Sequence, residues 1–316
     1  MLTARVAVIG AGAAGLMAAE VLSQAGVMVD VYEHKPSAAR KILMAGKGGL
    51  NITHSEPFAA LLGRYDQSDW LQPMLEVFDA TAIVDWMAGL GVVSYVGTSG
   101  RVFPAEMKAA PLVRAWLARL KSDGVQFFYR HRWLGWTDDG QQWFERADGS
   151  QFTQNYSATI LAVGGGSWAR LGSDGQALAY LQQQQIAIQP LQSSNCGVQV
   201  TWSPFLQALA GQPLKRVSAW LDQVTPVVSD AMLTEYGLEG GVLYALSRPI
   251  RQQLNTHGQA QIFLDLLPNI SQPELQDRLQ TKAKQTQANL RRKAGLDTVK
   301  SALIREILTK SARTDT

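Results

Sequence analysis

The chain has 316 residues, a formal net charge of +3, and hydrophobic and charged fractions of 46% and 17%. These proportions are ordinary for a globular protein, so they exclude bulk disorder and permit two compact domains, or one domain with a large insertion. The single cysteine, Cys196, excludes an internal disulfide. It also excludes enzymes that pass electrons through a cysteine pair, and it suits a reducing compartment.

The apolar N-terminal stretch is not typical of a secretion signal. The segment Val6–Val21 contains Glu20 and is interrupted by three glycines. This glycine density would weaken an apolar signal helix. No other apolar run has the length needed to span a bilayer. We therefore expect a soluble, cytoplasmic protein without a membrane partner.

The first part of the chain predicts a βαβ unit. Ala4–Ile9 contains small and β-branched apolar residues, which is typical of a buried parallel strand. A helix is predicted over Ala14–Gln24 and ends at Gly26, and a second strand follows over Val27–Glu33. The whole βαβ unit has about thirty residues, which is the length of a mononucleotide-binding half of a Rossmann-like sheet.

The turn of this unit has the spacing GxGxxG. Gly10 permits the tight turn, Gly12 lets a pyrophosphate approach the backbone, and Gly15 lets the helix pack closely on the strand. The N–H groups and dipole of the helix then bind phosphate charge. Glu33, at the end of the second strand, is placed to bind both ribose hydroxyls. Because a carboxylate there repels a 2′-phosphate, the pattern predicts FAD or NAD and excludes NADP at this turn.

The segment after Glu33 favours FAD over NAD. It reads EHKPSAARKILMAGKGGLNITHSE and is both glycine-dense and cationic, with Arg40 and Lys41 at its centre. Such a stretch can surround a pyrophosphate and extend toward a flavin ring, whereas a plain NAD-binding domain needs only a short turn and a helix. A flexible solvated loop is the alternative interpretation.

Further elements follow in chain order. Helices are predicted over Leu71–Leu90 and Ala110–Lys121, and strands over Val125–Trp136, Gln142–Arg146 and Ala158–Val163. A second glycine cluster, ATILAVGGGSWARLGSDG, begins at the last of these strands. Its small residues either let a ligand approach the backbone or form an ordinary strand-to-helix turn.

The pattern changes after Pro190, where short strand-like runs alternate with Pro and Gly. These runs are Cys196–Thr201, Val217–Leu221 and Gln261–Leu266, and from Pro273 the chain is polar, helical and basic. We therefore predict an FAD-binding domain over residues 1–189, a β-rich substrate domain over residues 190–272 and a helical basic segment over residues 273–316.

The basic segment has ten Lys or Arg from Arg278 to Arg313, against Asp297 and Glu306. A solvated helix face is the favoured interpretation, and we expect a small-molecule substrate and no nucleic-acid partner. The alternative is a flavin-dependent protein that binds or modifies nucleic acid, whose phosphate contacts would weaken with salt. The oligomeric state stays open.

Five segments together resemble one known family. They are the fingerprint with Glu33, ARKILMAGKGGLNITHS, GRVFPAEMKAA (Gly100–Ala110), LAVGGGSWARLGSDG and LTEYGLEGG (Leu233–Gly241). From Met1 to near Lys310 the chain resembles the BaiN/YhiN-like family of NAD(P)/FAD-dependent oxidoreductases, a branch of the two-dinucleotide-binding-domain flavoproteins. The resemblance implies an α/β fold in which a β-rich, barrel-like domain and a small helical domain are inserted into an FAD-binding Rossmann-like domain.

The resemblance also implies FAD as the cofactor and NAD(P)H as a candidate electron donor. The expected reaction is hydride transfer between flavin and a small organic substrate, of the enone-reduction or amine-oxidation type. The residues expected to bind the cofactor are Gly10, Gly12, Ala13, Ala14, Gly15, Glu33, His34, Lys35, Arg40, Lys41, Gly46, Gly48, Asn51, Trp133, Ala162, Val163, Gly164 and Gly165.

The chain departs from the family pattern in two places. Many members have GGGRCN where this chain has GKGGLN, from Gly46 to Asn51, without the Arg and Cys. The family's C-terminal strand and motif, which supply contacts to the ribityl chain and flavin, have no counterpart before Thr316. We therefore expect a truncated FAD domain that holds FAD weakly or not at all, and an inactive relative is an alternative function.

The sequence leaves the catalytic residues unknown. No Ser-His-Asp arrangement and no metal-ligand spacing stands out, so no metal is expected. Lys47 and His54 lie in the segment expected to approach the flavin, where a cation stabilises a reduced, anionic ring. Arg101 and Lys108 are candidates for binding an anionic or carbonyl substrate. An ordinary surface cation is the alternative interpretation for each.

Overall fold

The computed structural model describes residues 4–280 and 285–314, without the side chains of Lys47 and of residues 310–314. The chain divides into two compact units, Met1–Leu191 and Gln192–Thr316. The three domains that we expect from the sequence stay a prediction. Within the described residues, no helix has both the length and the apolar character needed to cross a membrane.

The first unit alternates strands and helices. Its strands are β1 (Arg5–Ile9), β2 (Met28–Glu33), β3 (Thr53–His54), β4 (Ser94–Val96), β5 (Arg101–Pro104), β6 (Gln126–Tyr129), β7 (Arg132–Trp136), β8 (Gln142–Glu145), β9 (Gln151–Gln154) and β10 (Ala158–Leu161). Its α-helices are α1 (Ala13–Gln24), α2 (Arg40–Ala45), α3 (Phe58–Leu62), α4 (Ser68–Val77), α5 (Ala80–Gly89), α6 (Ala109–Ser122) and α7 (Gln176–Gln183). Short 3₁₀ helices cover Gly46–Gly48 and Ala169–Leu171.

A parallel sheet with strand order β10-β1-β2-β6 forms the centre of this unit. Its strand β1 is apolar from Val6 to Ile9, as expected of a strand whose two faces are both covered. On one face Val8 and Val31 pack with Leu16 of α1 and Trp116 of α6. On the other face Tyr32 stacks on Phe144 of β8, at 4.0 Å between ring centroids. Helices therefore cover one face of the sheet, and an antiparallel sheet covers the other.

Two smaller antiparallel sheets complete the first unit, with strand orders β3-β5-β4 and β7-β8-β9. The turn at Asp138, Asp139 and Gly140 joins β7 to β8. Gly140 has φ +81°, a left-handed conformation that glycine adopts without steric cost.

Two predicted elements of the first unit need correction, and one alternative interpretation is excluded. The predicted helix Leu71–Leu90 is two helices, α4 and α5, because Asp79 caps the second by accepting a backbone N–H of its first turn at 2.8 Å. The predicted strand Val125–Trp136 is β6 and β7, which belong to different sheets and are separated at Arg130, where φ is +60°. The connection Glu33–His54 is not an open loop, because it contains α2, a 3₁₀ turn and β3.

The second unit combines an antiparallel sheet with helices. Its strands are β11 (Val198–Gln199), β12 (Pro213–Trp220), β13 (Val227–Thr234), β14 (Gly237–Glu239) and β15 (Phe263–Asp265), in the order β11-β14-β13-β12-β15. Its helices are α8 (Pro204–Gln207), α9 (Gly241–Ala245), α10 (Ser247–His257), α11 (Gln272–Leu279), α12 (Gln287–Ala294) and α13 (Thr298–Thr314). Leu214, Val217 and Leu233 of the sheet pack with Leu243 and Leu303 of the helices. The predicted fold class, a Rossmann-like α/β domain accompanied by antiparallel sheets and helices, is confirmed.

Part of the basic segment has a structural role. Lys300 is 7% exposed, and its Nζ donates to the carbonyl oxygen of Leu266 at 2.7 Å. The guanidinium of Arg305 lies 5.0 Å from the centroid of the Phe205 ring. These two cations serve packing within the second unit, and the predicted solvated face therefore does not include Lys300. The residues outside the description include Lys282 and Lys284, and the side chains of Lys310 and Arg313 are not described either.

Candidate cofactor-binding site

A cavity of about 760 Å³ lies where β1, β2 and β10 end in the first unit. This volume falls within the range of small-molecule sites, about 300–1,000 Å³. In open α/β sheets, ligands bind at this carboxyl edge. Six segments line the cavity: residues 9–14, 32–34, 39–42, 131–134, 161–164 and 171–181 except 179.

Glycine occupies the three positions of the fingerprint for different structural reasons. A Cβ at Gly10 would stand 2.4 Å from the carbonyl oxygen of Ala162, and a Cβ at Gly15 would stand 1.9 Å from the carbonyl oxygen of Gly10. Internal packing therefore requires glycine at both positions. Among the described residues, a Cβ at Gly12 would have no atom within 4 Å apart from its neighbours along the chain. The absence of a side chain there leaves open space beside the first turn of α1, where backbone N–H groups can bind an anion.

The carboxylate of Glu33 is held at the edge of the cavity. Its Oε2 accepts the backbone N–H of Ala11 at 3.0 Å, and its Oε1 accepts that of Lys35 at 2.8 Å. The side chain is 11% exposed. A carboxylate has about four acceptor positions, so two remain for ligand hydroxyls after these backbone contacts. The protein thus fixes the carboxylate while leaving it able to bind a ribose.

Cationic side chains also reach the cavity. The Nζ of Lys41 donates to the Oγ of Ser167 at 2.7 Å, and a guanidinium nitrogen of Arg40 donates to the Oγ of Ser37 at 3.2 Å. The Nε of Arg40 is buried and has no hydrogen-bond partner within residues 4–280 and 285–314. A buried donor without a partner is costly, so this N–H suits an anionic ligand. Arg132 adds a third cation, 3.9 Å from Asp174.

The structure brings together most of the residues that the sequence predicts for cofactor binding. Those lining the cavity are Gly10, Gly12, Ala13, Ala14, Glu33, His34, Arg40, Lys41, Trp133, Ala162, Val163 and Gly164. Those not in its lining are Gly15, Lys35, Gly46, Gly48, Asn51 and Gly165. Packing alone already requires glycine at position 46, because a Cβ there would stand 2.5 Å from the Cβ of Ala109. The roles of the second group in binding stay predictions.

The weak catalytic candidates with described side chains lie away from this cavity. His54 on β3 is the register partner of Arg101 on β5. The Nδ1 of His54 accepts the N–H of Glu56 at 3.1 Å, which leaves Nε2 to donate to the carbonyl oxygen of Ser99 at 3.0 Å. Both ring nitrogens thus hold loops in place. Lys108 is exposed at the start of α6, and the side chain of Lys47 is outside the description.

The segment 171–181 is the main part of the cavity lining that the predicted residues omit. Gly172 and Gly175 have φ of +109° and +76°, and they turn the chain into α7. Tyr180 of α7 packs against Trp133, at 5.3 Å between ring centroids. The signal was present in the sequence, because the glycine cluster ends in GSDG directly before a helical pattern.

These features fit FAD. The fingerprint leaves space beside a helix N-terminus for a pyrophosphate, and Glu33 suits a ribose. The unpartnered Nε of Arg40 offers a donor for an anion in the same cavity. The HI0933-like protein Rossmann domain matches residues 4–302 of the chain. The chain belongs to this family. Its members are FAD-binding oxidoreductases.

Solved structures similar to this HI0933-like chain include flavoenzymes. The 3-ketosteroid-Δ4-(5α)-dehydrogenase of Rhodococcus jostii RHA1 is 14% identical with a TM-score of 0.47, over 99% of this chain and 78% of that one. Thermovibrio ammonificans THI4 is 16% identical with a TM-score of 0.37, over 59% of this chain and 64% of that one. The open form of a flavocytochrome c3 fumarate reductase is 16% identical with a TM-score of 0.39, over 58% of this chain and 36% of that one. No curated protein matches the sequence.

Proposed function

We propose that this chain binds FAD in the cavity of the first unit and transfers a hydride between the flavin and a small organic substrate. The open space at Gly12, which no packing contact of the protein explains, is the observation that carries the proposal. Membership of an FAD-binding oxidoreductase family supports it. The substrate classes proposed are conjugated enones for reduction and amines for oxidation, with NAD(P)H as the electron donor of the reductive reaction.

The proposed roles of the residues follow from their positions. The first turn of α1 binds the pyrophosphate, and Glu33 binds the ribose hydroxyls. Arg40 and Lys41 reduce the electrostatic cost of two phosphates in a partly enclosed cavity. When bound, FAD supplies the hydride chemistry, so the protein's contribution is binding, orientation and electrostatics.

The test is the visible absorption spectrum of the purified chain, recorded before and after FAD is added and the excess is removed by gel filtration. A two-banded flavin spectrum at about one flavin per chain is the result expected from the cavity, and it would contradict the weak retention of FAD expected from the sequence. A protein that takes up no flavin would overturn the proposal, because the fingerprint would then have no ligand of this kind.

A second measurement separates the two proposed directions of reaction. In the absence of oxygen, bleaching of the bound flavin by NADH or NADPH supports the reductase. Oxygen consumption that depends on an added amine supports the oxidase. A flavin that neither donor reduces would remove hydride transfer from the proposal while leaving FAD binding in place.

A further inference from the structure

One polar atom of the cavity is buried without an explanation in the protein itself. The Nε2 of His34 has no hydrogen-bond partner within residues 4–280 and 285–314, although the residue lines the cavity. A buried nitrogen without a hydrogen-bond partner destabilises the fold. A bound ligand can remove this destabilisation by forming the missing hydrogen bond. We therefore ask which ligand group can bond to Nε2.

The environment of His34 determines what that chemistry is. Its Nδ1 lies 3.3 Å from the Oε1 of Glu33. A carboxylate at this distance favours the neutral tautomer with its proton on Nδ1, because an unprotonated Nδ1 would place two acceptors against each other. In that tautomer Nε2 is unprotonated. Burial lowers the pKa of His34 below its ordinary value, which favours this neutral form near pH 7. Nε2 is therefore an acceptor that needs a ligand N–H or O–H.

The position of His34 narrows the choice of ligand group. Glu33, the adjacent residue, is the proposed ribose-binding carboxylate, and the pyrophosphate is proposed beside Gly12. The base follows the ribose on the side away from the pyrophosphate, so a side chain next to Glu33 in the same cavity is within reach of the base. Adenine carries an exocyclic 6-amino group, whose N–H matches an acceptor. A 6-oxo purine has an oxygen at this position, which is an acceptor and cannot donate to Nε2.

We propose that the unprotonated Nε2 of His34 accepts a hydrogen bond from the 6-amino group of the adenine of the bound dinucleotide and selects adenine over a 6-oxo purine. This inference rests on the proposed FAD site. It adds a specificity-determining residue to that site, which the glycine fingerprint and Glu33 do not supply, because they bind pyrophosphate and ribose and do not read the base.

The test compares the binding of ADP and inosine diphosphate by isothermal titration calorimetry at pH 8. The two ligands share pyrophosphate and ribose and differ at the 6-position. We expect the wild-type chain to bind ADP about tenfold more tightly, as a matched hydrogen bond against two opposed acceptors implies. In His34→Phe, which keeps a flat ring without the acceptor, the two dissociation constants should lie within about twofold of each other. His257→Phe, at an exposed position in the second unit, is the control and should keep the wild-type ratio.

A pH series on the wild-type chain tests the same inference without a variant. Protonation of His34 converts Nε2 from an acceptor into a donor, so the preference for ADP should shrink or invert as the pH falls through the pKa of His34, which burial lowers below the ordinary value. The charged groups around His34 are Glu33, Lys35, Arg132 and Asp174. Because these groups act on ADP and inosine diphosphate through the same phosphates and ribose, the ratio of the two affinities isolates the base contact.

Each outcome bears on the inference. A preference for ADP that persists in His34→Phe and does not change with pH would overturn it, since another group would then read the base. Equal loss of affinity for both nucleotides in His34→Phe would also overturn it, because the ring would then serve the ribose or packing. If the chain binds one FAD but shows no preference for ADP, this inference alone is overturned. If it binds neither FAD nor either nucleotide, the proposed function is overturned as well.

Discussion

Gly12 has φ −82° and ψ −174°, a conformation open to any residue, and a side chain there would enter the space proposed for the pyrophosphate. Gly12→Asp should therefore lower the affinity for FAD at least about hundredfold, because a carboxylate would face the phosphates at close range. Gly12 is also the N-cap of α1, a position that favours Asp. The melting temperature of the variant without FAD should equal or exceed that of the wild type. Flavin titration and thermal unfolding measure the two effects.

Gly12→Asn is the matched control for that variant. Asparagine is as good an N-cap as aspartate and has the same size and reach, but it carries no charge. FAD affinity should fall less in Gly12→Asn than in Gly12→Asp, with similar melting temperatures. If Gly12→Asp binds FAD as the wild type does, the pyrophosphate does not lie at this turn.

A buried polar group near the other face of the sheet predicts how stability responds to alkaline pH. The hydroxyls of Tyr32 and Tyr156 lie 2.6 Å apart, and that of Tyr156 donates to Asp30 at 2.8 Å. Burial, together with the hydrogen bond to Tyr32, raises the pKa of Tyr156 well above its ordinary value. A group with a raised pKa in the folded state stabilises the fold fully below its unfolded pKa, about 10, and this contribution is lost as the pH rises above that value.

The free energy of unfolding should therefore fall above pH 10, with up to about 1.4 kcal/mol per pH unit from Tyr156. Urea unfolding of Tyr156→Phe at pH 9, 10 and 11 should show a shallower fall than the wild type. Tyr65, which is 41% exposed, provides the control Tyr65→Phe with the wild-type slope. Identical slopes in all three proteins would contradict the role given to Tyr156.

At the scale of elements, one carboxylate links three helices of the first unit. Glu20 of α1 is 3% exposed, and it accepts the indole N–H groups of Trp86 on α5 and Trp116 on α6, at 3.1 and 2.5 Å. It also pairs with Arg119 of α6. Glu20→Leu leaves a mostly buried guanidinium and two indoles without their acceptor. It should destabilise the fold by about 3–5 kcal/mol in urea unfolding.

Two other variants separate the charge of Glu20 from its role as an acceptor. Glu20→Gln keeps an oxygen for the indoles and should lose less stability than Glu20→Leu. Glu76→Leu changes a carboxylate on α4 that only pairs with Gln72 on the same exposed helix surface, and it should cost less than about 1 kcal/mol. Equal costs for Glu20→Leu and Glu76→Leu would show that the link between the helices carries no stability.

The elements also show why parts of the fold follow from sequence and others do not. The β1-α1-β2 unit was predictable because its signals are local: an apolar strand, a glycine turn and a terminal acid. The break at Arg130 was not, because a non-glycine residue adopts a positive φ there as the chain passes from one sheet to another. Gly46 is predicted to bind the cofactor, and its close contact with Ala109, far along the chain, is a packing constraint that the local sequence does not show.

At the scale of the molecule, the candidate site is a property of the first unit as a whole. Its lining begins at residue 9 and ends at residue 181, and the contributing segments are joined only by the fold. Local motifs therefore predicted the residues at which phosphate and ribose contacts are proposed. The fold adds the segment from Leu171 to Leu181, which the predicted binding residues do not include.

Hydrogen exchange should make this non-local character visible. If FAD occupies the cavity, adding it should slow backbone hydrogen exchange in five segments at once, because one ligand contacts part of each. These segments are residues 9–14, 32–42, 131–134, 161–164 and 171–181. The protection from exchange should saturate at one FAD per chain. In Gly12→Asp, FAD should not slow exchange in any of these segments. Protection of residues 9–14 alone would mean that a nucleotide binds at the glycine turn without filling the cavity. Protection in all five segments with a common dissociation constant would show that the fingerprint, Glu33 and α7 belong to one site.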